Sequence, residues 1–241
     1  MKKIFAANWK LFKSPRETRE FFKGFLDQNF KSDSEIVFFP SAVSLEAASQ
    51  ALTGTSVKWG AQNCYFQATG AFTGENSVAM MKELGATYIL VGHSERRQIF
   101  KESDALIADK VAFIQQQGLI PMLCIGETLE ERQSQKTQSV LEEQLKKALS
   151  KAEKSKPVVI AYEPVWAIGT GQVATPEQVA ETHADVHQIL KDLGFDQAPI
   201  LYGGSVKPDN ASGLVKIPHV DGFLVGGASL EVKSFSQIIQ A

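Results

Sequence analysis

The stretch Ala161-Tyr162-Glu163-Pro164-Val165-Trp166-Ala167-Ile168-Gly169-Thr170-Gly171 decides how the rest of the chain is read. It continues a β-branched run, Val158-Val159-Ile160, which predicts a strand ending on the carboxylate Glu163, because Pro164 cannot extend a hydrogen-bonded ladder. Two readings of Glu163 stand side by side. In one it is an ordinary strand-end carboxylate paired with a cation. In the other a strand delivers a base beneath a mobile loop: Pro164 stiffens one end, and Gly169 and Gly171 give the apolar tip Val165-Trp166-Ala167-Ile168 room to swing.

Outward from this stretch the same unit repeats. Apolar runs at Ile4 to Trp9, Ile36 to Phe39, Val57 to Ala61, Tyr88 to Val91, Leu119 to Ile125, Ile200 to Tyr202 and Val220 to Val225 predict seven further strands. Helix signals fall between them. Ser14-Pro15-Arg16-Glu17 supplies a cap, a first-turn proline and a first-turn acid for a helix through about Asp27. Ser41, Ser77 and Ser103-Asp104 announce others. Thr175-Pro176-Glu177 starts one that Gly194 ends, and Ser229 to Ile239 forms the last. Eight strands thus alternate with eight helical stretches. Because the strands are continuous apolar runs, they are buried on both faces, which is the pattern of parallel strands covered by helices. Eight such units in 241 residues predict a closed (β/α)8 barrel, an α/β fold in a single domain spanning 1–241. The rival is a doubly wound open sheet. It would need more polar edge strands and a glycine-rich dinucleotide turn after the first strand, and neither is present.

Composition excludes several partners. With 44% hydrophobic residues and a net charge of −2 the chain can bury a large core, and it has no basic excess for nucleic acid or an anionic membrane. Cys64 and Cys124, both beside apolar residues, read as small buried thiols, which suits a reducing compartment. Ile4-Phe5-Ala6-Ala7 is too short for a signal-peptide core, and no run reaches the length of a membrane span, so the expected location is the cytoplasm.

A barrel takes its reactive groups from the C-terminal ends of its strands. Those ends carry Lys10, His93, Glu163, Gly203-Gly204-Ser205 and Gly226-Gly227. Each glycine turn alone could be a tight bend. At adjacent strands they expose backbone N–H groups ahead of helices, as an anion site does. A base, an imidazole, a cation and a phosphate grip point to proton transfer next to a carbonyl on a small phosphorylated substrate, with no cofactor and no metal required.

The chain resembles the triosephosphate isomerase family over its whole length. The resemblance is carried by Ala7-Asn8-Trp9-Lys10, Gly60-Ala61-Gln62-Asn63, Gly70-Ala71-Phe72-Thr73-Gly74-Glu75, Gly92-His93-Ser94-Glu95-Arg96-Arg97, Cys124-Ile125-Gly126-Glu127, the Ala161 to Gly171 stretch, Tyr202-Gly203-Gly204-Ser205-Val206 and Gly222-Phe223-Leu224-Val225-Gly226-Gly227-Ala228-Ser229. That family is itself a standard illustration of a carboxylate base, a neutral histidine and a closing loop, so those roles are inherited from it. The resemblance implies interconversion of dihydroxyacetone phosphate and D-glyceraldehyde 3-phosphate through an enediolate, a step of glycolysis and gluconeogenesis. Glu163 moves the proton, neutral His93 polarises the carbonyl, Lys10 stabilises negative charge, Asn8 helps to place the substrate, and Glu95 sits beside the lysine. Gly169, Ser205, Gly226 and Gly227 hold the phosphate. Residues Pro164 to Gly171, Thr170 included, form the lid, with Trp166 moving towards Glu127. The resemblance also implies a homodimer in which the loop Phe72, Thr73, Gly74 and Glu75 enters the partner, Thr73 reaching towards its lysine and histidine. From composition alone, the long loop Asn63 to Glu75 has too many apolar groups to be solvated, and could equally fold back on its own barrel.

Lys101 and Gln135 stand where the family usually has glycine, Gln172 where it has lysine, and the last helix lacks the usual proline in Leu230-Glu231-Val232-Lys233. None touches the site. Two other functions are weaker readings. A Schiff-base aldolase would need a lysine inside the cavity, and only Lys10 qualifies. A non-catalytic binding barrel would be expected to have lost its base or its phosphate grip. His183 and His187, one helical turn apart, have neither a third ligand nearby nor a zinc-peptidase glutamate, and read as a solvated helix face. Glu130-Glu131-Arg132 reads the same way. Arg96-Arg97 reads as capping and ion pairing.

Overall fold

A computed structural model describes residues 2–28, 33–168 and 172–241. Eight parallel strands close on themselves in sequence order: β1 (Ile4–Asn8), β2 (Glu35–Phe39), β3 (Lys58–Ala61), β4 (Tyr88–Val91), β5 (Ile120–Ile125), β6 (Val159–Tyr162), β7 (Ile200–Tyr202) and β8 (Gly222–Val225). β8 returns to pair with β1, so no edge is left open. The predicted (β/α)8 barrel is the observed fold.

The continuous apolar runs split by parity, because successive side chains of a strand face opposite sides. Ile4, Ala6, Val37, Phe39, Tyr88, Leu90, Met122, Cys124, Val159, Ala161, Leu201 and Leu224 fill the barrel interior. Their neighbours Phe5, Ala7, Phe38, Ile89, Val91, Ile160, Tyr162 and Tyr202 face the helices. The predicted helix signals work as expected at several ends. Ser14 and Glu17 form a reciprocal capping box at α1 (Pro15–Leu26), with Pro15 in its first turn. The other helices are α2 (Leu45–Leu52), α3 (Val78–Glu83), α4 (Ser94–Gln98), α5 (Asp104–Gln116), α6 (Leu129–Gln133), α7 (Thr137–Ala148), α8 (Pro176–Leu193), α9 (Pro208–Leu214) and α10 (Val232–Ile239). Thr175 and Gln178 cap α8 in the same reciprocal way.

Several expectations are corrected. β6 stops at Tyr162, and Glu163 follows it. β8 begins at Gly222 rather than Val220. The expected last helix from Ser229 is instead a 3-10 turn, Gly227–Ser229, followed by α10. Ser41 precedes a 3-10 turn, Ala42–Ser44, and makes no capping bond to it. The short helices α4 and α6 add to the eight expected stretches, since five residues are too few to show a period. His183 is fully buried, not solvated: its Nδ1 lies 2.9 Å from the His219 carbonyl, and its ring packs between those of Tyr162 and Tyr202. His187 is partly exposed and stacks on His219 with centroids 4.1 Å apart. The helix presents His183 inward because Val179, Val186 and Leu190 mark the same buried stripe.

Candidate active site

Alternation alone aims two of the expected residues into the barrel mouth. Asn8 continues the inward set of Ile4 and Ala6, and Glu163 that of Val159 and Ala161. His93 is different. By parity Gly92 would face in and His93 out, but Gly92 has φ +70, a left-handed turn open to glycine, and it swings His93 round into the cleft. His93 then caps α4 with its Nδ1, which accepts the Glu95 N–H at 3.2 Å. A donor at Nδ1 leaves the ring proton on Nε2.

The reacting groups converge. His93 Nε2 lies 3.0 Å from Glu163 Oε1, and both side chains are buried. Glu163 Oε2 accepts the Ser94 N–H at 3.2 Å. Lys10 Nζ donates to Glu95 Oε1 at 2.7 Å. Lys10 itself has φ 48, a strained conformation for a side chain-bearing residue. It is held there by Asn8 Oδ1, which accepts its N–H at 3.0 Å, and by Gln62, which donates to its carbonyl at 2.8 Å and to that of Phe39 at 2.9 Å.

Burial is the largest influence on both Glu163 and His93, and it opposes both charges. It is outweighed by their contact. His93, the Ser94 N–H and Lys10 bring the Glu163 carboxyl below its ordinary value. Glu163 and Glu95 bring His93 above its own. An imidazole inclined to keep a second proton differs from the neutral one that the resemblance implies, and the cause is the carboxylate touching Nε2.

Glu163, His93, Asn8 and Lys10 open onto a cleft of about 330 Å³ whose far wall is Gly203, Gly204, Ser205, Gly226 and Gly227. The two glycine turns thus meet on one side of the base. Helix α9 starts beyond Ser205, at Pro208, and Gly226 precedes the 3-10 turn. A neighbouring cleft of about 420 Å³ shares Asn8, Lys10 and His93 and reaches Glu95, Gly74 and Glu75. Thr73 and Phe72 do not enter this chain's own site: residues 67–75 are exposed, and the Phe72 ring stacks on Tyr65 at 4.4 Å within the loop. Cys64 at the start of the loop is buried in this chain's core, whereas residues 67–75 stay exposed and do not fold back onto the barrel.

Of the expected lid, Pro164 to Ile168 are described, whereas Gly169, Thr170 and Gly171 lie outside the described residues. Val165–Ala167 form a 3-10 turn. Trp166 Nε1 donates to Glu127 Oε1 at 2.9 Å, so here the indole already touches the carboxylate towards which the resemblance has it move on closure. Sequence reasoning missed the rest of that anchor. The same Glu127 oxygen accepts from Tyr162 Oη at 3.1 Å and Arg132 at 3.2 Å, and Arg132 stacks over the Trp166 ring at 5.4 Å. Arg132 is therefore no solvated surface group, and Glu131 is occupied in a capping box with Thr128. An aromatic whose carboxylate partner lies 35 or 39 residues away leaves no periodic signal.

Arg96 and Arg97 pair with Glu102 and Asp104 at 2.7 and 2.6 Å, as expected. Cys64 and Cys124 are free and buried, and burial pushes the Cys64 thiol up to about 12. Among the described residues no group of three or more His, Cys, Asp or Glu is arranged to hold a metal ion, and no helix is long and apolar enough to cross a membrane.

Comparison with known proteins agrees with this geometry. The family model described as triosephosphate isomerase matches residues 3–241. A triosephosphate isomerase of Bdellovibrio bacteriovorus is 74% identical over 238 residues, covering 99% of each chain. That of Aquifex aeolicus is 46% identical over 244 residues, again 99% of each. That of Chlamydia muridarum is 45% identical over 239 residues, 97% of this chain and 88% of the relative. A strand-end carboxylate, an imidazole and a lysine in one barrel mouth, together with these matches along the full length, place the chain in the triosephosphate isomerase family.

Proposed function

We propose that this chain interconverts dihydroxyacetone phosphate and D-glyceraldehyde 3-phosphate by moving a proton between adjacent carbons. The observation that carries the reading is the convergence of Glu163 and His93, 3.0 Å apart and buried, on a cleft shared with Lys10 and two glycine turns. In this reading Glu163 takes the proton from the carbon beside the carbonyl and returns it to the neighbouring carbon. The Nε2 proton of His93 donates to the carbonyl oxygen as negative charge develops there, and Lys10 adds a cation to the same side. A substrate carbonyl that takes the carboxylate's place beside Nε2 removes the main support for a second proton on His93. Burial and the Glu95 N–H then favour the neutral ring. Asn8 orients the substrate, and Glu95 fixes the direction of the lysine.

Ser205, Gly226, Gly227 and, on closure, Gly169 offer backbone groups to the phosphate. Residues Pro164 to Gly171 act as the lid that keeps water from the enediolate. The Schiff-base alternative is disfavoured by Lys10 being tied to Glu95 at 2.7 Å beside a separate carboxylate base. A coupled assay of the two triose phosphates tests the reaction, and no interconversion at micromolar enzyme would overturn it.

The partner assignment extends the reading. The exposed tip of the loop from Tyr65 to Glu75, with Phe72 40% exposed, and the exposed Leu11, Phe12, Ile99 and Phe100 support a homodimer built around that loop. Thr73 would reach the partner's site. Light scattering that finds a monomer with full turnover would refute this. The cytoplasm is the compartment that two free, buried thiols suit, and residues 1–241 are taken as one domain.

A further inference from the structure

We infer that Gln144, on α7, is a positioning residue for the catalytic base: its side-chain amide clamps the Gly126 backbone against that of Glu163. The inference rests on Glu163 being the base. Past the end of β5 the ladder to β6 continues on one side only, with Glu163 N–H donating to the Ile125 carbonyl at 2.7 Å and Val165 N–H to that of Glu127 at 3.1 Å. On the other side β4 has ended. Its last registered pair is Val91 with Leu123, after which Gly92 turns the chain away into α4. The N–H and C=O of Gly126 therefore face the place of a missing strand, and backbone groups in such a place need partners.

Gln144 supplies both from 18 residues away in sequence. Its Oε1 accepts the Gly126 N–H at 2.9 Å, and its Nε2 donates to the Gly126 carbonyl at 2.9 Å. One side chain reproduces the pair of bonds that a neighbouring strand would make. Gly126 transmits the effect. A Cβ built on it would lie 1.8 Å from the Glu163 carbonyl oxygen, so the two backbones are in direct contact and a shift of one displaces the other. Packing leaves room on one side of this contact. A second cavity, of about 210 Å³ and bordered by Gln144, Gly126, Glu163 and Val165, adjoins the base. With open space there, the amide bonds add to the β5–β6 ladder in keeping the Gly126–Glu163 junction from moving back.

Turnover and coupling test this. Gln144→Leu removes both bonds at similar volume. A displacement on the order of 1 Å at the base costs roughly a hundredfold, so the expected loss in kcat is about ten- to a hundredfold. KM and the inhibition constant of inorganic phosphate should stay within about threefold, because the glycine turns are untouched. In a Glu163→Asp background, where the base is already misplaced, Gln144→Leu should cost less than about threefold more. Gln144→Glu adds a pH signature. A protonated carboxyl can accept from and donate to Gly126 as the amide does, whereas a carboxylate cannot donate, so turnover relative to the parent should rise as pH falls.

A folded Gln144→Leu protein with kcat within about twofold of the parent, or with its full cost repeated in the Glu163→Asp background, overturns the proposal. If Gln144→Leu does not fold, Gln144→Glu decides, and a ratio to the parent that is flat with pH overturns it. An undiminished Glu163→Asp enzyme would instead remove Glu163 from its role, so the two failures are distinguishable.

Discussion

The outer wall of the barrel is built in two ways. Behind β1 and β2 it is carbon: Trp9, Phe21, Phe22, Phe25, Phe38 and Phe235 form one aromatic cluster, with Phe22 edge-on to Phe38 at 5.0 Å and Trp9 edge-on to Phe21 at 4.9 Å. Behind β5, β6 and β7 an apolar layer encloses a buried polar group of side chains, which makes this the polar wall of the two. Glu127 gathers Tyr162, Trp166 and Arg132 on a single oxygen, His183 sits between two tyrosine rings, and Glu127 Oε2 and His183 Nε2 are buried without a hydrogen-bond partner. The first wall acts mainly through buried apolar area, which is non-directional, and so holds α1 and α10 on the barrel where its ends meet. A carboxylate with three donors is directional and costly to bury, and it fixes the angles at which strand six and the lid leave the barrel. One side of the molecule supplies stability. The other gives up part of it for position.

Substitutions in the two walls should therefore separate stability from turnover. Phe38→Ala, at the centre of the aromatic wall, should lower unfolding free energy by about 3–5 kcal/mol and leave kcat unchanged wherever the protein remains folded. Denaturant melts and assays on one preparation check both halves, and a loss of kcat in the folded protein would break the contrast. Glu163→Asp, at the mouth that the polar wall serves, should do the opposite, cutting kcat roughly a hundredfold with the melting midpoint nearly unchanged.

The polar wall should also be the acid-sensitive one. Burial holds the His183 imidazole down to about 4. The unfolded chain takes up that proton near its ordinary value of about 6.5, so stability from this group is complete above that pH and is lost as pH falls towards 4. About 3 kcal/mol is the scale of the loss. Denaturant titrations at several pH values should show a shallower acid decline in His183→Gln than in the parent, and parallel declines would exclude His183 as the source.

The smallest expected effect lies outside both walls. Lys101 and Gln135 have φ 57 and 56, in the left-handed region that costs a side chain-bearing residue about 1–2 kcal/mol and glycine very little. After the added backbone entropy of glycine, Lys101→Gly and Gln135→Gly should each stabilise by about 0.5 kcal/mol without altering turnover. A destabilising result in thermal melts would show that these exposed turns gain more from their side chains than they lose in strain.

These positions also show how far the sequence could be read. The departures at Lys101 and Gln135 were visible as missing glycines, and their dihedral angles explain why glycine is usual there. Arg132 and His183 were misread as surface because each sits among charged or polar neighbours, and their burial comes from partners 5 and 36 residues away. Gln144 gave no signal at all. A single glutamine on an amphipathic helix looks solvated until the chain end it supports is brought beside it.

What the sequence determined by itself was local and periodic: eight doubly buried strands, their order and helical links, and the inward aim of Asn8 and Glu163, which alternate from residues only two positions away. Closure of the barrel decided the rest. It brought the glycine turns after β7 and β8 beside Lys10 at the end of β1, far earlier in the chain. It left the backbone of Gly126 without a neighbouring strand and so in need of an amide from α7. The inward turn of His93 depended on one left-handed dihedral at Gly92, where an added side chain would also crowd Arg97, Ile107 and the Cys124 carbonyl. Periodicity carries information between sequence neighbours, whereas these contacts exist only once remote segments share a surface.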